Sequence, residues 1–294
     1  MNSILLINKP EGFLSSHCVG MVRRKLRNSL KVGHAGTLDS TASGLLVLMI
    51  GNATRFSEFV MSLPKVYRSV IQFGIETNTY DYSGDATSRK GYGSLDVEAL
   101  NDSLRSFMGW RLQSPPAVSA IKIEGRPAYK LARSGKDPEM KARPVFFRGI
   151  KILKPYDSQT GTIELEVSCG RGTYIRSLAH DLGVITGCGA HVKFLQRTSI
   201  GNFSLSNAND PSNDDYRYLT LHDLAANFSG IYISQKDERS FMNGLSILSS
   251  HAEKFSRGVS LASNITFVEG SKFLGVGEYV GYDYIKPVVI VPKV

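Results

Sequence analysis

Gly33-His34-Ala35-Gly36-Thr37-Leu38-Asp39, continued by Ser40-Thr41-Ala42-Ser43-Gly44 and the apolar run Leu45 to Ile50, is the stretch on which the reading of the fold turns. The run is short, unbroken and aliphatic, the pattern of a buried strand. Gly33 and Gly36 allow the turn before it to adopt backbone angles that a side chain would forbid. A loop of this kind can hold one carboxylate, that of Asp39, still.

Working outward, Ile4-Leu5-Leu6-Ile7 reads as a second strand, and residues alternate between apolar and polar from Tyr67 to Phe73 and from Ile163 to Val167. Between these lie helical patterns. Leu100, Leu104, Phe107 and Met108 form one apolar face, and Ile175, Leu178, Leu182 and Ile185 form another that stops near Gly187. Strands and helices interleave without strict βαβ periodicity, which predicts an α+β fold with a mixed sheet flanked by helices. Residues 202 to 215 read as a polar loop, and Thr220-Leu221-His222-Asp223 reads as a capping box. After Gly230 the texture changes. Ser234 caps a helix ending at Gly244, and Gly-punctuated strands follow at Ile265 to Val268, Phe273 to Val276 and Ile285 to Val291. The pattern divides the chain into 1–228 and a small β-rich module, 229–294. Gly275-Val276-Gly277 lacks the βαβ context of a dinucleotide site and reads as turns.

The chain has 294 residues, 42% of them hydrophobic, enough for one large core with a small companion. Its formal charge of +9 favours an anionic partner. The charge is concentrated in residues 122–148, where eight basic residues (Lys122, Arg126, Lys130, Arg133, Lys136, Lys141, Arg143, Arg148) stand against three acidic ones. Arg126, Lys130 and Arg133 fall at helical i, i+4, i+7 spacing, with Pro127 as first helical residue, and so predict a phosphate-tracking stripe on one helix face. Cys18, Cys169 and Cys188 share no metal-ligand spacing and suit a reducing cytoplasm. No segment reads as a signal peptide or membrane span.

With its continuation Gly51-Asn52-Ala53-Thr54-Arg55, the opening stretch resembles the catalytic motif of the TruB family of tRNA pseudouridine synthases. Four further segments resemble that family in order: Lys9-Pro10-Glu11-Gly12, Lys65-Val66-Tyr67-Arg68, Ser119-Ala120-Ile121-Lys122 and Gly172-Thr173-Tyr174-Ile175-Arg176. The resemblance spans residues 4 to 201. It implies the mainly antiparallel pseudouridine synthase fold, and a C-terminal PUA-like RNA-binding module signalled by Phe273 to Glu278 and Lys286-Pro287. The chain departs from the family pattern at Ser40, where Pro is usual, and at Leu14, Asn78 and Gln196.

The implied reaction breaks the bond from ribose C1′ to N1 of uridine 55 in the tRNA T loop, turns the base and joins C1′ to C5. Nothing is gained, lost or oxidised, so no cofactor or metal is expected. The resemblance makes Asp39 the attacking or deprotonating carboxylate, as in glycosidase chemistry. It makes Arg176 the cation that keeps Asp39 ionised, a neighbour of the kind that lowers a carboxylate pKa by ~1–3 units. Tyr67 becomes the aromatic that stacks on the flipped base and sits by the C5 proton. His34 is implied to approach the RNA, Asp81 to hold Arg176 or a neighbour, and Tyr174 to lie in the binding site with Lys122, Arg126, Lys130 and Arg133. Lys9, Pro10, Gly33 and Gly36 are structural support. The expected partner is tRNA, met by a monomer without guide RNA or membrane. The competing readings are a guide-RNA-dependent subunit, a non-catalytic tRNA-binding protein and, more weakly, a sugar hydrolase.

Overall fold

The apolar run becomes the strand Ser43–Ile50, almost wholly buried, and the rest of the larger sheet is arranged around it. A computed structural model describes residues 1–93, 95–119, 121–123, 125–128, 131, 139–261, 264–281 and 283–291. The spatial order of that sheet is Tyr218–Leu219, Ser3–Lys9, Ser43–Ile50, Ala190–Ile200, Lys65–Phe73, Thr162–Cys169, Arg143–Asp157 and Gly109–Gln113. The short strands Val32–His34 and Phe203–Ser204 pair off this path.

Among the described residues every pairing in this sheet is antiparallel but one. Gln196 and Arg197 run parallel to Ser43 and Gly44. The chains meet so closely there that a Cβ on Gly44, whose φ is +105°, would lie 2.4 Å from the Arg197 carbonyl oxygen. This contact joins the loop that carries Asp39 to a strand more than 150 residues later in the chain.

Apolar side chains fill both faces of the sheet. One face packs Ile71, Leu165 and Val167 against the helices Val97–Ser106 and Ile175–Ile185. The helix Ser15–Lys25 covers Leu5, Leu46 and Leu48 through Cys18 and Val22. The predicted helical faces end early: Met108 lies beyond the end of Val97–Ser106 and Ile185 is the last residue of its helix, and both are exposed. None of the described helices is long and apolar enough to cross a membrane.

A second, six-stranded sheet begins at Gly230 and runs to Ile290. Thr220 and Asp223 form the predicted capping box ahead of it, and Ser234 caps the helix Gln235–Met242. Gly275 to Gly277 lie in the strand Phe273–Val280 and are not turns. A Cβ on Gly275 would come within 2.1 Å of the Val289 carbonyl oxygen, so glycine is needed where two strands crowd together. The polar stretch 202–215 also contains structure, because Phe203 turns inward and draws Phe203–Ser204 into the larger sheet.

The two sheets share an aromatic seam. Phe267 stacks on Phe228 with centroids 4.2 Å apart and lies 5.4 Å from Phe273, which packs on Phe56. Truncating a buried phenylalanine costs ~3–5 kcal/mol. Phe267→Ala is therefore expected to lower the urea midpoint by that equivalent, and a change below ~1 kcal/mol would show that the seam contributes little.

Candidate active site

Five segments converge on a cavity of about 420 Å³ at the end of the parallel contact. Its walls include Gly36 to Asp39 from the glycine loop, Lys65 and Tyr67 from one strand, Gly170 to Arg176 from the entry to a helix, and Leu195 and Arg197 from another strand. Asp39 is its one carboxylate among the described residues, facing four cations: Lys65, Arg171, Arg176 and Arg197.

Arg176 is the second residue of the helix Ile175–Ile185 and its side chain is 3% exposed. A helix N-terminus disfavours a cation, so this guanidinium needs partners. One terminal nitrogen lies 2.8 Å from Asp39 Oδ2 and donates to the Val118 carbonyl at 2.9 Å, while the other donates to the Thr79 carbonyl at 3.0 Å. Its Nε faces Asp81 Oδ2 at 3.9 Å. Asp39 keeps 38% of its side chain exposed, so its carboxylate is anchored on one oxygen and open to the cavity.

Asp81 stands behind the pocket, buried, and accepts hydrogen bonds from the Thr41, Thr79 and Ser83 hydroxyls and the Ser83 amide. The Thr41 bond ties it to the chain just past Asp39. The loop is held elsewhere too: Ser15 Oγ bonds both the carbonyl and the amide of Leu38, and the Gly12 amide donates to the Ser40 carbonyl. These bonds restrain the loop at Ser40, where no proline ring fixes φ.

Tyr67 lines the cavity on the strand Lys65–Phe73. Burial pushes its phenol pKa up, opposed by the nearby Arg197 guanidinium. Tyr174 also lines the cavity, and burial together with the Asp39 charge raises its pKa. His34 does not reach the cavity lining. It lies on the strand Val32–His34 with its Nδ1 buried and without a hydrogen-bond partner among the described residues, and burial depresses its pKa. Lys9 is fully buried at the end of Ser3–Lys9 and donates to the carbonyls of Pro10 at 2.8 Å and Phe13 at 2.7 Å. Burial lowers its pKa to about 8. Gly36 has φ +108°, whereas Gly33 sits in a strand with no such demand.

The predicted basic stripe is not one helix face. Arg126 lies exposed on the two-residue strand Arg126–Pro127, which pairs with Lys122–Ile123, and helical backbone appears only from Ala128. Proline at an edge strand loses no ladder bond, which removes the reason to read it as a helix start. Lys130 and Arg133 lie outside the described residues.

The sequence reading passed over Arg197 and Lys65. Arg197 is wholly buried and donates to the carbonyls of Leu45 at 2.8 Å, Gly36 at 3.2 Å and Thr37 at 3.4 Å, so one guanidinium holds the loop on both sides of Asp39. Nothing local marks it: an arginine two residues from Leu195 in a strand gives no sign by itself that it is buried. Lys65 donates to the carbonyls of Met61 and Leu63, and burial, reinforced by Arg197, lowers its pKa to about 7.

Fold and site together are those of an enzyme that works on a polyanion with a single, cation-clamped carboxylate. The comparisons agree. Residues 23–175 match the N-terminal domain model of the TruB family pseudouridylate synthases, and residues 176–242 match the tRNA pseudouridylate synthase B C-terminal domain. A tRNA pseudouridine synthase B of Solibacter usitatus is 41% identical over 208 residues, 71% of this chain and 70% of that one. Its counterpart in Clostridium kluyveri is 35% identical over 286 residues, 94% and 95%. A structure of an H/ACA ribonucleoprotein bound to a substrate RNA containing 2′-deoxyuridine contains the same fold, with TM-score 0.71 over 99% of this chain and 85% of that one at 17% identity. The chain belongs to the TruB family.

Two predictions follow from the buried cations. Arg197→Lys keeps the charge but cannot span three carbonyls, so the rate per folded molecule should fall by ~10²-fold or more while the unfolding temperature changes modestly. An unchanged single-turnover rate would exclude the clamp. A lysine pKa lowered to about 7 in the fold, against the ordinary 10.5, makes wild-type stability rise as pH climbs from 7 toward 10.5. In Lys65→Met that rise should shrink, which thermal melts at pH 6.5 and 8.5 will show.

Proposed function

We propose that this chain isomerises uridine 55 in the T loop of tRNA to pseudouridine. The observation that carries the reading is the Asp39 carboxylate, clamped by buried Arg176 at 2.8 Å and facing Tyr67 across a cavity that admits a flipped nucleoside. RNA loops suit such a site because their bases can be splayed out. Removing the base from its stack costs a few kcal/mol, which stacking on Tyr67, ~1–3 kcal/mol per base, offsets.

In this reading the Asp39 carboxylate engages the nucleoside while the C1′–N1 bond breaks, and the uracil keeps the bonding electron pair. The base turns, C5 bonds to C1′, the C5 proton leaves and N1 takes up a proton. Tyr67 stacks on the base near that C5 proton. Arg176 keeps Asp39 ionised, and Asp81 orients Arg176 and, through Thr41, the loop. The near-full-length match to a 35% identical tRNA pseudouridine synthase B supports a stand-alone enzyme, acting without guide RNA or cofactor. We take it to be a cytoplasmic monomer, in keeping with its three buried free cysteines. We assign 1–228 to catalysis and 229–294 to a PUA-like RNA-binding unit.

The test uses unmodified tRNA transcript carrying 5-tritiated uridine. Wild type should release tritium, and a cytidine at position 55 should abolish the release. Asp39→Asn should release none, and Tyr67→Phe should bind normally but turn over far more slowly. Tight tRNA binding without release by wild type would leave an RNA-binding protein instead.

A further inference from the structure

Trp110, the chain's single tryptophan, is 74% exposed on the outermost strand of the larger sheet. Leu112 beside it is 73% exposed on the same face. A bare tryptophan on a sheet face needs a reason, because large exposed apolar patches mark contact sites. Across the strand pair Trp110 stands opposite Phe146, with ring centroids 5.3 Å apart.

Phe146 leads to the pocket. It lines a second cavity, about 840 Å³, with Arg148, Ser168 and Gly170, whose walls also include Gly258 to Ser260 of the C-terminal unit. Gly170 belongs to the wall of both cavities, and its amide donates to the Phe146 carbonyl at 2.8 Å. A trough therefore runs from Asp39 past Gly170 and along Arg148 to the Phe146–Trp110 step. Among the described residues its lining carries no carboxylate after Asp39. Arg148, two residues beyond Phe146 on the same strand, is exposed and without an ion-pair partner among the described residues.

We propose that this trough is a second RNA-binding surface, in which Trp110 stacks on a base of the substrate beyond the flipped uridine and Arg148 meets a phosphate between them. Aromatic faces interleaved with unpaired cations are the chemistry of an RNA strand, since every base offers a π-face and every linkage a negative charge. An apolar protein partner would leave Arg148 unmatched. The proposal rests on the reading of the Asp39 pocket as an RNA site, but its readout is binding and does not depend on turnover.

Because Trp110 is the sole tryptophan, its emission reports this surface alone. Unmodified tRNA transcript titrated into the full-length protein, and into Asp39→Asn, should quench that emission in a saturable manner. Trp110→Ala should bind the transcript roughly five- to a hundred-fold more weakly, and Trp110→Phe should recover part of the affinity. Arg148→Gln should reduce the slope of log affinity against log salt by about one unit. Unquenched emission at saturating tRNA, or equal binding by Trp110→Ala, would overturn the proposal. So would a concentration-dependent self-association that Trp110→Ala abolishes, since a second copy would then cover the patch. Quenching without tritium release would sink the isomerase reading while keeping the trough, and release without quenching would do the reverse.

Discussion

A guanidinium buried at the start of a helix is the constraint around which the catalytic half is organised. The helix dipole opposes Arg176, and desolvation penalises it, so it is tolerable only if oxygens surround it. They come from three remote places: Asp39 in the glycine loop, Thr79 and Asp81 in the hairpin that follows the Lys65–Phe73 strand, and Val118 ahead of the basic insert. The contacts of one cation thus tie the Asp39 loop to the segments behind the cavity. Arg197 imposes a matching demand from the other wall, taking carbonyls on both sides of Asp39. The carboxylate between them has little freedom to move.

This arrangement explains how the loop manages with Ser40 in place of a ring-constrained residue. Rigidity that a proline would build into the backbone is supplied from outside by Ser15, Gly12, Thr41 and Arg197. Those contacts are tertiary, so a one-dimensional reading of the loop cannot see them.

Much else was legible. The buried strand after the loop, the alternation from Tyr67 to Phe73 and the caps at Thr220 and Ser234 are local patterns, and the structure reproduces them. Asp39, Tyr67, Tyr174 and Arg176, singled out by resemblance, do line one cavity. What failed depended on partners far along the chain. Pro127 was given a helix start because helical spacing looked plausible, yet pairing with Lys122–Ile123 makes it a strand residue. Gly275 looked like a turn because only the approach of Val289 shows why a side chain is forbidden there. Arg197 was passed over because an isolated arginine in a strand carries no mark of the carbonyls it will meet.

The parallel contact between Gly44 and Arg197 also bears on how the protein is made. The Arg176 and Arg197 clamps on the Asp39 loop each close a loop of roughly 140 to 160 residues, and closing such loops is slow relative to local helix formation. Chains emerge from the ribosome at ~5–20 residues per second, so Asp39 spends several seconds or more outside the exit tunnel before Arg176 and Arg197 exist to clamp it. A nascent chain cut short before the Ala190–Ile200 strand carries the carboxylate without the Arg197 clamp. The full set of contacts around Asp39 is thereby completed only once the second half of the larger sheet has been synthesised.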